Sequence, residues 1–401
     1  MKKNIKLIII IVSFLILLVI LYFPFKILLN KINNKDDTRN NSTILLNENL
    51  EINVYDKIKL SELITIENGT LLNDGFIDTS KLGKTIISYS YLNNLQEEYN
   101  GSFTINIVDK IKPYIGISKN YTYVIGNEFD LETSIFCGDN YTKRPKCHIE
   151  GEYNLTKVGE YPLVFIAEDE SGNINSANFN LKVVTKKPNS TPVTKISFEE
   201  IEARKPKNAS LMIDVSKWQG DIDWEKIHNS GIEYTMLRVG TQIGIDQESK
   251  IDSYFEKNIE EAKKAGVKIG VYYYSYANDK NDALIQAKWV IDVLEKYSLD
   301  LPVAFDWECW SLFNSFNINF HDLNEIANTF LETIKIAGYK PLLYGSKNYM
   351  ENVWNLDYDI WLAHYTDKTS YSGDKIMWQF TSSGEIPGIK GNADVNFYYN
   401  K

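Results

Sequence analysis

Histidine and cysteine are scarce in this 401-residue chain, with four and three copies. The histidines show no metal-ligand spacing, and the cysteines form no metal-binding pattern. We therefore predict no metal and no cofactor. Cys137 and Cys147 are close enough in the chain to pair outside the cell, although the sequence alone does not decide whether they do. Cys309 is left as a small buried thiol.

Positive charge is also in short supply. Lysine and arginine number 43 against 53 aspartates and glutamates, which gives a net charge of −10. An acidic chain is repelled by a phosphate backbone, so we predict that nucleic acid is not a partner. The sequence identifies no protein partner.

Charge is absent altogether from Leu7 to Phe25, an apolar run near the N-terminus. The run meets the length of about 20 residues that a bilayer-spanning helix requires. It is longer than the apolar part of a cleaved signal peptide, and no small-x-small cleavage site follows it. We therefore predict a retained signal-anchor within residues 1–30. Lysines flank both sides, so the orientation is a choice: a short cytoplasmic tail, with the bulk of the chain outside the cell membrane.

The region after an Asn-rich linker (31–46) alternates short apolar stretches with turn signals and contains an internal repeat. KLGKTIISYSY at 81–91 matches KVGEYPLVFIA at 157–167, and FTINIVD at 103–109 matches FNLKVVT at 179–185. Both offsets are 76 residues, which indicates two copies of one unit. We predict two small all-β sandwiches, at 47–109 and 110–185, that act as spacers. The turn EDESGN, with Asp169 and Asn173, is interpreted as a plain turn rather than a calcium loop.

After a second linker (186–207) the pattern changes, and apolar strand-like runs alternate with helical periodicity. We count eight runs: LMIDVS, YTMLRVG, KIGVYYYSYA, LPVAFDWE, KPLLYGS, DIWLAHYT, IMWQFTS and ADVNFYY. Helical segments at 253–266, 281–297 and 321–338 separate the earlier runs, whereas the last three runs have short connections. The pattern predicts an α/β barrel with an irregular closing side at 208–401.

Carboxylates occur at the ends of three of these runs. Asp306 and Glu308 are two residues apart, so they share one face of a strand, and Asp214 and Asp394 lie in the first and last runs. Functional groups gather at the C-terminal ends of parallel barrel strands, so we expect the four acids to meet at one rim. Clustered carboxylates without a His or Cys partner are typical of acid–base hydrolysis of a glycosidic bond. Neighbouring charge and apolar walls would hold one of them protonated.

The segment 208–401 resembles the glycoside hydrolase family 25 lysozymes. The resemblance rests on an ordered set of motifs, from MIDVSKWQGDIDW at 212–224 through LPVAFDWE to IMWQFTSSGEIPGIKG and ADVNFYY. It implies an eight-stranded barrel with five helices. It also implies an N-acetylmuramidase, which cuts the β-1,4 bond between N-acetylmuramic acid and N-acetylglucosamine in peptidoglycan. Residues 111–185 resemble bacterial immunoglobulin-like surface domains.

The resemblance also assigns roles to individual residues. Glu308 matches the general acid and Asp306 its partner carboxylate, in a proposed retaining route assisted by the N-acetyl group of the substrate. Asp214 and Asp394 match the acids of the opening and closing strands. Trp307 is bulkier than usual between the two acids, and we expect it to point away from the cleft. Six aromatic residues match positions that line the cleft or accompany the acids: Trp218, Tyr272, Tyr274, Trp361, Tyr365 and Trp378.

The sequence therefore predicts a multidomain protein: a transmembrane helix, two immunoglobulin-like sandwiches and a catalytic α/β barrel. We interpret it as a membrane-anchored peptidoglycan hydrolase for local cell-wall remodelling or lysis. The alternative is a non-catalytic wall-binding surface protein. A chitinase-like barrel is disfavoured, because PVAFDWE lacks the upstream acids of a D-x-x-D-x-D-x-E run.

Overall fold

The structure is a computed structural model that describes residues 41–399, apart from 129, 132–133, 189–193, 243 and 245–246. These residues form two compact units that divide after Asp109. The predicted signal-anchor at 1–30 lies outside the described residues. Within the described part of the chain, no helix combines the length and hydropathy needed to cross a bilayer.

The first unit is built from β-strands. A long hairpin of β5 and β6 is flanked by β4, antiparallel to β5, and by β2, parallel to β6. Alternate residues of β6 are buried, among them Phe103, Ile105 and Ile107, as expected for a sheet with one covered face. The strands of this unit are β1 (Thr43–Leu46), β2 (Glu51–Asn53), β3 (Ile64–Glu67), β4 (Gly69–Leu71), β5 (Gly83–Asn93) and β6 (Glu98–Val108).

The second unit opens with a β-domain whose main sheet repeats this topology. The hairpin of β11 and β12 begins 76 residues after that of β5 and β6, and it is likewise flanked by an antiparallel and a parallel strand. The repeat seen in the sequence is thus present in the structure, while the immunoglobulin-like assignment stays a prediction. The strands are β7 (Tyr114–Gly116), β8 (Asn120–Val124), β9 (Phe136–Gly138), β10 (Lys146–Glu150), β11 (Gly159–Glu168) and β12 (Ile174–Val184).

Two local features fix loops of this β-domain. Cys137 on β9 and Cys147 on β10 form a disulfide, so the pairing that the sequence left open is settled. Asp169 accepts hydrogen bonds from the backbone and side-chain nitrogens of Asn173, both at 2.8 Å. The EDESGN segment is therefore closed as a turn by its own side chains.

The linker predicted at 186–207 differs from the structure in its second part. Helix α1 (Phe198–Arg204) starts at an N-cap on Ser197, which accepts from the Glu200 amide, and buries Ile201 completely. The backbone of Ile196 also pairs with Ser383 and Glu385. The backbone pairing of Ile196 and the packing of Phe198 and Ile201 on the core fasten this segment to the barrel.

Eight strands close into a barrel, as predicted. Neighbours from β13 to β20 are parallel, and β21 closes the sheet by pairing antiparallel with both β20 and β13. The short β15 extends β14 as an outer hairpin. The strands are β13 (Ser210–Val215), β14 (Tyr234–Gln242), β15 (Ser249–Ile251), β16 (Lys268–Ser275), β17 (Val303–Trp307), β18 (Pro341–Ser346), β19 (Ile360–Ala363), β20 (Met377–Glu385) and β21 (Asn392–Tyr398).

Helices cover the outside of the barrel, with five α-helices among the described residues from 208 onward. The predicted segments 253–266, 281–297 and 321–338 correspond to α3, α4 and α5. Side chains at N-cap positions start the longer ones: Asp279 accepts from the Asp282 amide, and Asn319 forms a capping box with Asp322. The helices are α2 (Trp224–Asn229), α3 (Phe255–Lys264), α4 (Lys280–Leu294), α5 (Phe320–Ile336) and α6 (Lys347–Asn352).

Strand alternation divides the barrel residues into two layers. Ile269, Val271 and Tyr273 on β16 face outward and join the large core under the helices. Tyr272, between them, belongs to a smaller interior core with Met212 and other inward residues. Because the side-chain period is two, the inward face of each strand continues to the C-terminal end of the barrel. The polar residues of that face form the candidate site.

Candidate active site

The four acids predicted from the sequence converge at one end of the barrel. Asp214 and Asp306 lie near the C-terminal ends of β13 and β17, and Glu308 follows β17 directly. Asp394 lies near the start of β21, which runs antiparallel and so brings its N-terminal part to the same end. In the strand register Asp394 stands directly opposite Asp214.

Asp214 is buried, with 5% exposure, and its carboxylate is held by two amides. Its Oδ2 accepts from Gln379 Nε2 at 2.9 Å and from Asn396 Nδ2 at 2.7 Å. Burial raises the pKa of Asp214 to about 6, and the two amide hydrogen bonds oppose that rise. These donors stabilise the ionised form where burial alone would have neutralised it.

Gln379 connects this carboxylate to the other side of the site. Its Oε1 accepts from the hydroxyl of Tyr344 at 2.9 Å and from that of Tyr365 at 3.0 Å. Tyr344 also interacts through its hydroxyl with the carboxyl of Glu308. A continuous set of polar contacts therefore runs from Asp214 to Glu308.

Asp306 is buried, with 6% exposure, and its Oδ1 has no hydrogen-bond partner among the described residues. Burial is the main cause that raises its pKa well above the ordinary value, and the charges of Glu308 and Asp214 add to it. The guanidinium of Arg238 opposes the shift. A buried carboxyl oxygen that lacks a donor is costly, so this atom is suited to accept a hydrogen bond from a bound molecule.

Glu308 is exposed and contributes to the wall of a pocket of about 370 Å³. Desolvation by the surrounding protein raises the pKa of its carboxyl, the charge of Asp214 adds to this, and the hydrogen bond with Tyr344 lowers it. The remaining pocket residues come from β18, the start of α6, β19 and the loop after β19: Tyr344, Ser346, Lys347, Asn348, Ala363, His364 and Tyr365.

Asp394 is half-buried, and its pKa is raised to about 8 by burial and by the charges of Asp214 and Glu308. The four acids therefore titrate together rather than one by one. Near neutral pH the cluster retains protons, which provides a proton donor next to ionised neighbours. That combination is what general acid catalysis requires.

The predicted aromatic residues divide between the site and other places. Trp361 is buried in the barrel interior, where its indole nitrogen donates to Asn396 at 2.7 Å and its ring meets Tyr272 at 5.8 Å. The hydroxyl of Tyr365 reaches Gln379, as described above. Tyr274 lies beside Asp306 in the strand register and is half-buried.

Two of the predicted tryptophans do not join this cluster. Trp378 is 5% exposed, packs in the outer core against Phe397 at 5.5 Å, and donates to the backbone oxygen of His364. Trp218 lies on the loop after β13 and is 76% exposed, with Lys217 over its ring. Trp307 faces outward, as expected, and donates to the backbone oxygen of Ala277.

Sequence reasoning missed four polar residues of the site: Arg238, Tyr344, Gln379 and Asn396. Each lies an even number of residues from an inward-facing neighbour on its strand, so strand alternation was the signal that could have found them. Arg238 is fixed by Asp252, whose Oδ2 accepts from Nε at 2.8 Å. This pair holds a positive charge near the acids without neutralising any of them.

A barrel with clustered carboxyls, one of them at an open pocket lined by aromatic and polar side chains, has the site of a glycoside hydrolase. The sequence model of "Glycosyl hydrolases family 25" matches residues 213–389. The C-terminal barrel is therefore a family 25 glycoside hydrolase domain, and the assignment to this class of enzyme is confirmed.

Curated relatives match the same region. The protein YegX of Escherichia coli K12 is 27% identical over 196 residues, which cover 46% of this chain and 68% of YegX. The autolytic lysozyme of Clostridium acetobutylicum is 25% identical over 188 residues, or 46% of this chain and 54% of the relative. The chain thus spans about half the length of that lysozyme.

Solved structures show similarity over a comparable share of the chain. The modular autolysin LytC of Streptococcus pneumoniae, solved with a synthetic peptidoglycan ligand, is 25% identical with a TM-score of 0.43, covering 59% of this chain and 56% of LytC. A family 25 glycosyl hydrolase of Bacillus anthracis is 24% identical with a TM-score of 0.43, covering 53% of this chain and 95% of that structure.

Proposed function

We propose that this protein is an N-acetylmuramidase that cleaves the β-1,4 bond between N-acetylmuramic acid and N-acetylglucosamine in peptidoglycan. The observation that carries the proposal is the pair Asp306 and Glu308. Both have raised pKa values, and they come from one strand end: one is buried with an open acceptor atom, and the other lies at the pocket. Relatives named as lysozymes share the domain.

In the proposed reaction Glu308 donates its proton to the glycosidic oxygen as the bond to C1 breaks. Asp306 Oδ1 accepts a hydrogen bond from the amide N–H of the substrate N-acetyl group. The acetyl oxygen then attacks C1 and forms an oxazolinium ion, whose N–H stays hydrogen-bonded to Asp306 Oδ1. Water opens this ion after giving a proton to Glu308, so the enzyme returns to its starting state.

Asp214 and Asp394 act on the acids rather than on the sugar. The ionised carboxylate of Asp214 raises the pKa of Glu308 and so favours the protonated form that the first step consumes. Tyr344, bonded to Glu308 and to Gln379, fixes the direction of the acid.

The proposal is tested by digesting purified peptidoglycan with the full chain and identifying the soluble products by mass. We expect new reducing ends at N-acetylmuramic acid, which Glu308→Gln abolishes while the fold is kept. Glu225→Gln, on the exposed side of α2, is the matched control and should retain full activity. Wall binding without any fragments would favour a non-catalytic binding protein, and full activity of Glu308→Gln would refute the role of the acid.

We further propose that the protein is anchored in the cell membrane by residues 1–30, and that it acts outside the membrane in local wall remodelling. The support is the uncharged run from Leu7 to Phe25, long enough to span a bilayer. Deleting residues 1–30 should move the protein from the membrane fraction to the soluble fraction without loss of wall hydrolysis. A truncated protein that still sediments with membranes would contradict a single anchor.

A further inference from the structure

Phe136, on β9 of the second β-domain, packs among aromatic residues of the barrel. Its ring meets Trp310 edge-on at 5.6 Å and Phe313 at 5.3 Å, and it approaches Tyr349 at 6.1 Å. Edge-to-face pairs at these distances contribute specific attraction beyond area burial. The β-domain is therefore docked through a defined side chain rather than merely tethered.

Backbone contacts fix the same junction. An added Cβ at Gly138 would come within 2.6 Å of the Phe320 ring, so the strand lies directly on that ring. The amide of Phe320 donates to the Asp139 oxygen at 2.8 Å, and Asn319 Nδ2 donates to the Tyr141 oxygen at 2.6 Å. These bonds join the β-domain to the first turn of α5.

The disulfide constrains the loop of the β-domain that makes this contact. It joins Cys137, the neighbour of Phe136, to Cys147 and encloses the loop that contains Asp139 and Tyr141. Cys137 is itself part of the β-domain core. The docking face is thereby held rigid relative to the rest of its domain.

The barrel side of the junction is the loop that follows the proposed catalytic acid. Trp310, two residues after Glu308, donates its amide to the Glu308 backbone oxygen at 2.8 Å. Its ring stacks on Tyr349 at 3.5 Å between centroids. Tyr349 follows Lys347 and Asn348, which line the same pocket as Glu308. The stack of Trp310 on Tyr349 thus joins two chain segments that each contribute residues to the pocket.

We propose that Phe136 is a positioning residue: by packing on the Trp310–Tyr349 stack, the second β-domain holds the loop that carries Glu308 in its reactive place. The inference rests on the proposed function for its kinetic consequences. It makes residues 110–185 part of the catalytic unit, whereas the sequence predicted only a spacer.

The test uses the full chain with Phe136→Ala, and Phe179→Ala as the matched control. Phe179 is a buried phenylalanine of the same β-domain, in contact with Tyr121 and not with the barrel aromatics. Thermal unfolding is measured first. If an alanine variant does not fold, the leucine variants Phe136→Leu and Phe179→Leu replace the pair.

Hydrogen exchange provides a readout that does not depend on activity. In Phe136→Ala the amides of residues 309–319 should exchange faster, while the amides of the barrel strands stay protected. In Phe179→Ala the amides of residues 309–319 should stay protected. Unchanged exchange in residues 309–319 would overturn the proposal. Faster exchange in residues 309–319 of Phe136→Ala, in a protein that never cuts peptidoglycan, would refute the proposed function but not the role of Phe136.

Kinetics provide the second readout. Phe136→Ala should lower kcat by about tenfold or more with KM nearly unchanged, because small misplacement of a catalytic group is costly. The basic limb of its pH–rate profile should move to lower pH, since a loosened loop hydrates Glu308 and lowers its pKa. The titratable and charged groups around Glu308 are Asp214, Asp306, Asp394, Tyr274, Tyr344, Tyr365, Lys347 and His364. Phe136→Leu should recover part of the rate. Equal losses of kcat in both alanine variants would overturn the proposal.

Discussion

Replacing Glu308 by glutamine keeps the shape of the side chain and removes its transferable proton. The glutamine amide can still form a hydrogen bond with the Tyr344 hydroxyl, so the pocket should keep its form. Proton donation by a positioned acid is worth about 10²–10⁴-fold in rate. The expected loss of kcat on peptidoglycan corresponds to about 3–5.5 kcal/mol of transition-state stabilisation.

The decisive assay varies the leaving group. An aryl glycoside whose phenolate departs without protonation should restore most of the rate of the bond-breaking step in Glu308→Gln, measured as the first burst of phenolate, because that step no longer needs the acid. Asp306→Asn should stay slow on both substrates, since its role lies with the N-acetyl group and not with the leaving oxygen. The reasoning fails if the aryl substrate does not rescue Glu308→Gln, or if it rescues Asp306→Asn equally well.

Two further changes test the surroundings of the acids. Gln379→Leu removes a hydrogen bond that lowers the pKa of Asp214, so the acidic limb of the pH–rate profile should rise from about 6 by about one unit; an unmoved limb would show that ionised Asp214 is not required. Asp394→Asn removes a carboxyl whose pKa is raised to about 8, and a raised folded-state pKa means that stability is lost as pH rises from about 4 through 8. Between pH 5 and pH 8 the free energy of unfolding should therefore fall less in the variant than in the parent, by about 1–2 kcal/mol after solvent screening. At pH 8 the Tm of the variant should be a few degrees above that of the parent. Parallel curves of Tm against pH for the two proteins would contradict this.

The barrel was predictable because its strands are buried on both faces and are rich in β-branched and aromatic residues, as in the buried VAFDW of β17. The four acids were predictable because they interrupt apolar runs. Trp378 shows where this reasoning stops. It was selected for its aromatic ring, but it faces outward between Met377 and Gln379, and Gln379 is the residue that reaches Asp214.

The junction between the β-domain and the barrel left no such signal in the sequence. Phe136 belongs to a short strand with no long alternation, and its partners lie far along the chain, in the segment after β17 and in the short helix α6. A contact of this kind depends on how two finished domains meet. The predicted linker 186–207 shortens for a similar reason: Ile196, Phe198 and Ile201 are apolar, but a few apolar residues in a polar segment do not reveal what will bury them.

The four carboxyls of this site differ in their hydrogen-bond partners and in their exposure. Asp214 has its Oδ2 occupied by two amide donors, so it can supply negative charge but has little capacity at that atom for a substrate hydrogen bond. Asp306 is equally buried but keeps Oδ1 without a donor among the described residues. Glu308 is the acid that is both exposed and desolvated enough to hold a proton. Residue type does not separate Asp214 from Asp306. The side-chain amides of β20 and β21 do, because they donate to Asp214 and leave Asp306 Oδ1 open.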